Sequence, residues 1–431
     1  MRILVHGLNS SPELVGIGKF TGEMADWLAR RGHEVRIVTA PPFNPAWKVA
    51  EGYSAWCYRR ESPTINGAGS LTVFRCPLWV PRNPSTLKRL MHVASFAISS
   101  LPVMFGQVFW QPSLVVVVEP TLLCSPVARM TAQLSGAISW LHIQDFELDA
   151  AFAVGMLRSR RLRRLIAAVE KKLLLGFDWV STISSTMMNR LREKGFASER
   201  SVLFPNWVDT RLIFPTHSPS PLRAKLGIPP DAVVALYSGS MGRKQGLELL
   251  GEVADLLVEN KNIQFVFCGE GPSKPELVNR TAHLANVCWL GLQPVDYLND
   301  LMNLADIHLL PQRAQVADLV MPSKLTGMLA SGRPVVACAD QGSQLATAVA
   351  DCGVCVPAGD VTAFARAIAC LADDVEWRAR ASKNARDIAV ATLDTDKVLA
   401  RIEQEFLRIV ASREPTAVRL PTENDAVRDA H

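Results

Sequence analysis

Runs of apolar, β-branched residues alternate with amphipathic stretches from one end of the chain to the other. RILVHG, EVRIVTA, LTVFRCPL, SLVVVVEP, AISWLHIQ and WVSTIS read as strands in the first half. VVALYSG, IQFVFCG, VCWLG, DIHLLP, RPVVACA and CGVCVP do the same in the second. The runs are continuous, as expected of strands covered on both faces, so each half predicts a parallel sheet wrapped by helices. Between them, PNWVDTRLIFPTHSPSPLRAKLGIPPD (205–231) is rich in proline and has no period, which marks a linker. The pattern therefore predicts an α/β chain with two Rossmann-like parallel-sheet domains, residues 1–208 and 209–390, facing a cleft. A helix over 391–413 is free to pack back on the first domain, and the polar tail 414–431 is expected to be disordered.

One segment breaks the alternation. Met91 to Val118 contains no Asp, Glu, Lys or Arg, and VASFAISSLPVMFGQVFW is long enough to raise a membrane-spanning helix. Pro102, Gly106 and three serines interrupt it, and Lys88 and Arg89 precede it, so a helix resting on a bilayer or a buried core helix is expected instead. The net charge of +5 is too small to argue for nucleic acid. It is unevenly spread, however: Arg158, Arg160, Arg161, Arg163 and Arg164 cluster just ahead of Lys171 and Lys172. They form either a solvated helix face or a contact for anionic lipid headgroups. Nine cysteines, mostly within apolar strands, suit a reducing compartment. Cys352 and Cys355 lack the second pair that a zinc site needs. The first apolar run is one strand long, too short for a secretory signal.

Chemistry is expected at the strand ends. Gly16, Gly18 and Gly22 follow the first strand and approach a dinucleotide fingerprint, but Thr21 stands where the third glycine belongs. The second strand also ends in Ala40-Pro41-Pro42, without the acid that would hold a ribose. Gly16 and Gly18 therefore read as a phosphate or carboxylate loop at a helix start, with Lys19 a further candidate contact. In the second half, YSGSMGRKQGLELL puts Ser240, Arg243 and Lys244 in such a loop, and FCGEGP offers Gly269 and Gly271. MPSKLTGMLASGRPVVA places Pro322 and Ser323 at a helix start with Lys324 in its first turn. Cations beside free backbone N–H groups at one sheet edge point to a diphosphate-bearing ligand.

With PNWVD at the hinge, GLQPVDYLNDLMNLADIHLLP and PSKLTGMLASGRPVV, the chain resembles glycosyltransferase family 4 over almost its full length. Its N-terminal stretch, EGYSAWCYRRE and LHIQDFELDAAF resemble the colanic-acid fucosyltransferase branch. That resemblance implies the GT-B fold, with an acceptor-binding first domain and a nucleotide-sugar-binding second one. It implies retaining transfer of a hexose, fucose from GDP-fucose, to a lipid-linked oligosaccharide in exopolysaccharide assembly. It also implies a cytoplasmic enzyme peripheral on the inner face of the cytoplasmic membrane. Family members carry two glutamates with seven residues between them; here those positions are Leu319 and Gly327, and Asp318 is the nearest carboxylate. Gln245 stands where the family's phosphate-loop lysine is usual.

No D-x-D run ends a strand, so no metal or other cofactor is expected, and fixed cations would stabilise the leaving diphosphate. His142 and Asp145, at the end of a first-domain strand, are candidates to face the cleft and take the acceptor's proton. Alternatively a donor phosphate oxygen takes it. Glu147 and Asp149 read as helix N-terminal residues. Two other functions fit: a sugar-nucleotide epimerase of the same fold, or a catalytically inactive nucleotide-sugar-binding subunit.

Overall fold

The computed structural model describes residues 1–13, 16–82, 85–119, 122–146, 160–242, 245–313, 322–340 and 342–413. The first sheet contains β1 (Arg2–Gly7), β2 (Glu34–Thr39), β3 (Arg59–Glu61), β4 (Ser70–Arg75), β5 (Leu114–Glu119), β6 (Ile138–Ile143), β7 (Trp179–Thr182) and β8 (Ser201–Leu203). Their order is β3-β4-β2-β1-β5-β6-β7-β8, parallel throughout except for the β3–β4 pair. The second sheet contains β9 (Val233–Ser238), β10 (Ile263–Cys268), β11 (Val287–Leu290), β12 (Ile307–Leu310), β13 (Val335–Cys338) and β14 (Gly353–Val356). It runs β11-β10-β9-β12-β13-β14, all parallel. In each sheet the order reverses beside a strand next to the middle, β1 or β9, and the loops at their carboxyl ends face each other.

Two edge strands go beyond the sequence reading. β3 is only Arg-Arg-Glu and has no apolar run; its Glu61 instead pairs with the buried Arg75 of β4 at 3.2 Å. β8 is three residues long and half-buried to exposed.

The helices that matter for the site are α1 (Ile17–Arg30), α2 (Thr86–Val108), α3 (Ser125–Ser135), α4 (Arg160–Leu175), α5 (Lys324–Ala330) and α6 (Thr395–Arg413). On one face of the first sheet, Phe96 and Met104 of α2, Ala128 of α3 and Leu174 of α4 share a core with Leu4, Val115 and Leu141. On the other, Phe20 and Met24 of α1 and Leu399 and Phe406 of α6 enclose Ile3, Val5 and Trp140. Each fully buried Leu, Val, Ile, Phe or Met among them contributes about 1.5–3 kcal/mol.

The last helix thus lies on the first lobe although it follows the second in sequence. Glu403 holds it there, accepting from His33 Nε2 at 2.8 Å and Arg31 Nε at 3.2 Å, while Trp27 Nε1 donates to Asp396 at 2.8 Å. The chain therefore crosses between lobes twice, and the two crossings run side by side. Val208 N–H donates to Leu393 O at 2.9 Å and Thr395 N–H to Val208 O at 3.1 Å.

Candidate active site

The loop leaving β1 folds back across α1, and its Pro12 and Glu13 border the cleft. Gly18 and Gly22 lie one turn apart on the helix face that receives it. A Cβ on Gly18 would stand 2.4 Å from Glu13 Oε2, and one on Gly22 would stand 1.8 Å from Ser11 Oγ. Gly18 is buried under Glu13, and Gly16 (φ 64°) is exposed beside open space. Neither lines the cleft pocket, so the expected donor contact by Gly18 gives way to a packing role.

Glu13 is the residue that the sequence reading missed here. It is buried, and its Oε1 accepts from the backbone N–H groups of Phe43 and Asn44, each at 3.0 Å. Asn9 Nδ2 donates to its Oε2 at 2.8 Å. Burial pushes its carboxyl up from the ordinary range, and these hydrogen bonds together with Arg75 oppose that shift. Glu13 thereby ties the loop after β1 to the 42–51 loop after β2, and both line the cleft.

In the second lobe, two loops interlock through their backbones. Met241 N–H donates to Glu270 O and Ser273 N–H to Met241 O, both at 2.9 Å. Gly269 and Gly271, with φ of 155° and 154°, permit this approach, since added Cβ atoms would fall 1.9 Å from Gly239 O and 2.5 Å from Met241 O. Their role in the described structure is to set the platform at the β9 and β10 ends, and the cleft surface itself is Ser238, Gly239 and Cys268.

Lys324 crosses that platform from the first turn of α5, its Cε stacked over Gly239. Its Nζ donates to Tyr237 Oη at 2.6 Å and lies 3.4 Å from Ser240 O; Tyr237 Oη in turn donates to Ser240 O at 2.6 Å. No carboxylate among the described residues forms an ion pair with it. Burial favours the neutral amine and lowers its pKa to about 7, so the ammonium form has no counter-ion among the described residues where it lines the cleft. Tyr237 also escaped the sequence reading, because its core strand hides a hydroxyl that faces the loop.

The cleft has a volume of about 670 Å³. Its second-lobe wall is mostly apolar, built by Ile213, Leu292, Val295, Leu298 and Met302 with Gln293 and Thr326 among them. Gly327 opens onto the same space. A Cβ there would be 3.7 Å from Ile213 Cδ1 and 3.8 Å from Met302 Sδ, so crowding does not force the glycine. Lys19 reaches the cleft from α1, 3.8 Å from Glu23. Pro322 borders a smaller adjoining pocket of about 170 Å³, which it shares with Asn206 of the hinge.

His142 requires a correction. It shares the parity of Ile138 and Trp140 along β6, so it points into the layer beneath Phe204 and Trp207 and away from the cleft. Gln144 Nε2 donates both to His142 Nε2 at 2.8 Å and to Asn206 Oδ1 at 3.0 Å. That assigns the proton to Nδ1, which donates to Ser181 Oγ at 2.9 Å. Burial lowers the imidazole pKa to about 3, so the ring is neutral with both nitrogens engaged. Asp145 is half-buried just beyond the strand. Arg243, Lys244, Asp318, Leu319, Glu147 and Asp149 lie outside the described residues. Among the described residues no group of three or more His, Cys, Asp or Glu side chains could hold a metal ion.

The family profile described as a glycosyl transferase 4-like domain matches residues 15–207, and that of the glycosyl transferases group 1 matches residues 220–388. Over 409 residues the chain is 42% identical to WcaI of Escherichia coli (strain K12), named for colanic acid biosynthesis as a glycosyl transferase. That similarity covers 93% of this chain and 98% of WcaI. Alpha-D-kanosaminyltransferase of Streptomyces kanamyceticus is 27% identical over 174 residues, 39% of this chain and 44% of the relative. Among solved structures, sucrose-phosphate synthase of Thermosynechococcus elongatus matches with a TM-score of 0.75 at 18% identity, over 95% of this chain and 99% of that one. Anabaena HepE in complex with UDP and glucose matches with a TM-score of 0.66 at 17% identity, over 95% and 100%. At those identities the two structures carry the fold, which is GT-B.

Proposed function

This chain belongs to the GT4-type glycosyl transferases, and from that premise we propose that it moves fucose from GDP-fucose to a lipid-linked oligosaccharide. The reaction would serve the assembly of a colanic-acid-like exopolysaccharide at the inner face of the cytoplasmic membrane. The observation that carries the donor assignment is Lys324, an uncompensated cation at one end of an apolar cleft between the lobes. A nucleoside diphosphate sugar matches that pairing: its base and ribose fill the apolar length while the diphosphate meets the lysine.

Transfer breaks the anomeric C–O bond, and the departing diphosphate gains negative charge that Lys324 offsets. Arg243 and Lys244 are the further cations of the proposed donor site, with Ser240, Pro322 and Ser323 around it. Both nitrogens of His142 are engaged, so the acceptor hydroxyl gives its proton to the departing phosphate oxygen in this reading. The new bond then forms on the face the diphosphate leaves, with retention, and no metal is required. Asp145 and Asp318 remain carboxylates to test by substitution.

Purified protein incubated with a panel of GDP- and UDP-sugars, with and without membrane lipid extract, tests the proposal. Release of nucleoside diphosphate only when lipid acceptor is present, and only from GDP-fucose, is the expected result. Conversion of the donor to a second sugar nucleotide without acceptor would make the protein an epimerase, and binding without turnover an inactive subunit.

A further inference from the structure

Helix α2 packs one face against its domain and leaves the more apolar face outside. Its inner stripe, His92, Phe96, Ser100, Met104 and Gln107, recurs at helical spacing and is buried. Three of these five are polar and bolt the helix to the domain. His92 Nδ1 donates to Trp79 O at 2.7 Å, Ser100 Oγ shares a hydrogen bond with His6 Nε2 at 3.1 Å, and Gln107 Oε1 accepts from Arg36 at 2.9 Å. The outer stripe is the more apolar: Leu87, Met91, Ile98, Phe105 and then Phe109, which is 90% exposed. A water-facing helix has the reverse arrangement. By length and composition α2 is able to cross a bilayer, yet its inner hydrogen bonds fix it along the sheet.

The same surface continues onto its neighbours. Met130 and Leu134 of α3 and Leu165 and Val169 of α4 are exposed on the layer that these helices build over one face of the first sheet. Tyr58 is exposed beside α2, where its Oη donates to Ser99 O at 2.8 Å, and Trp56, two residues earlier in the chain, is exposed as well. The charges on this layer have one sign. Lys88, Arg89, Arg161, Arg164, Lys171 and Lys172 are exposed. The one acid in the three helices, Glu170, is buried and paired with Lys194 at 2.7 Å.

We propose that the outer face of α2, α3 and α4 rests on an anionic lipid bilayer, with the apolar stripe in the headgroup region and the basic residues on lipid phosphates. Apolar side chains flanked by unopposed cations and exposed aromatics are the chemistry of such a contact. The placement also orients the cleft. His92 packs at 4.7 Å from Phe43 and 5.3 Å from Trp47, and Phe43 lines the first-lobe wall of the cleft. The acceptor side of the cleft therefore opens beside the bilayer, where a lipid-borne sugar lies. This inference rests on the proposed function for the identity of the acceptor alone.

The test is co-sedimentation of the full chain with vesicles of phosphatidylcholine, with and without phosphatidylglycerol. Binding to the phosphatidylglycerol vesicles is expected, with Ile98→Glu/Phe109→Glu weakening it about tenfold or more. Both residues are exposed, so the thermal midpoint should stay unchanged. Arg161→Glu/Arg164→Glu should remove the preference for phosphatidylglycerol. Wild-type binding by either double variant, or no binding by the wild type, overturns the proposal. So does a dimer that Ile98→Glu/Phe109→Glu splits, since the face would then be occupied by a second copy. Vesicle binding needs no turnover. Vesicle binding with no transfer activity sinks the proposed function alone, whereas transfer to a soluble acceptor analogue without vesicle binding sinks the surface alone.

Discussion

The loop after β1 and the loop after β9 are made of the same parts: a buried strand, a glycine-rich turn and a helix. They handle charge in opposite ways. In the first lobe the charged group is Glu13, and two backbone N–H groups and Asn9 already meet it. Its glycines let the loop lie flat on α1. In the second lobe the charged group is Lys324, whose described partners are a hydroxyl and a carbonyl, neither of them anionic. A satisfied carboxylate holds a wall together, while an unsatisfied cation waits for a ligand. Glycine at a strand end therefore says little about binding until the charge beside it has been traced to its partner.

The largest effect that would break this comparison is at the lysine. Lys324→Ala should weaken binding of GDP or UDP by about 2–5 kcal/mol, roughly thirtyfold or more, measured by titration calorimetry. Unchanged affinity would move the diphosphate elsewhere. Next comes Gly18→Ala, whose new methyl meets Glu13 at 2.4 Å and 2.8 Å. It should cost about 1–3 kcal/mol in urea unfolding while leaving nucleotide affinity of the folded protein within about twofold. A selective loss of affinity would return the first loop to the donor site.

A smaller effect follows from the pKa of Lys324, about 7 in the free protein. A bound diphosphate favours the charged form and raises that pKa. Below it the lysine is charged both free and bound, so affinity is flat. Above it, binding must take up a proton, and affinity falls by up to about tenfold per pH unit until the bound-state pKa is reached. Titrations in buffers of different ionisation enthalpy would register the proton; a flat profile to high pH would show that the lysine does not meet the anion.

The sheets were legible because twelve of the fourteen described strands fall on apolar, β-branched runs that stand out along the chain, and the covering of such runs on both faces follows from the pattern. β3 and β8 were not, because three-residue edge strands depend on a neighbour and carry no pattern of their own. Lys324 could be found because a cation directly follows a proline and serine at a helix start. Glu13 could not, since its partners lie about thirty residues away on the 42–51 loop. For α2 the composition announced a helix with too much apolar surface, but only packing shows that its more apolar face is the one left outside.

His142 is the smallest of these tests and the most direct on how side chains are assigned to a cleft. A histidine at a strand's carboxyl end in an α/β fold invites a catalytic reading, yet strand parity sends alternate residues to opposite faces. His142 goes with Trp140, and its ring nitrogens are spent on Ser181 and Gln144. Loss of a general base would cost about 10²–10⁴ in rate. For His142→Asn we instead expect kcat to fall less than about tenfold, with stability lower by about 1–2 kcal/mol as the chain from Ser181 to Asn206 loses a link. Because the imidazole titrates near pH 3, its loss should leave the neutral limb of the pH–rate profile in place. Disappearance of that limb together with the larger rate loss would put His142 back at the reacting atoms and open the cleft floor to β6.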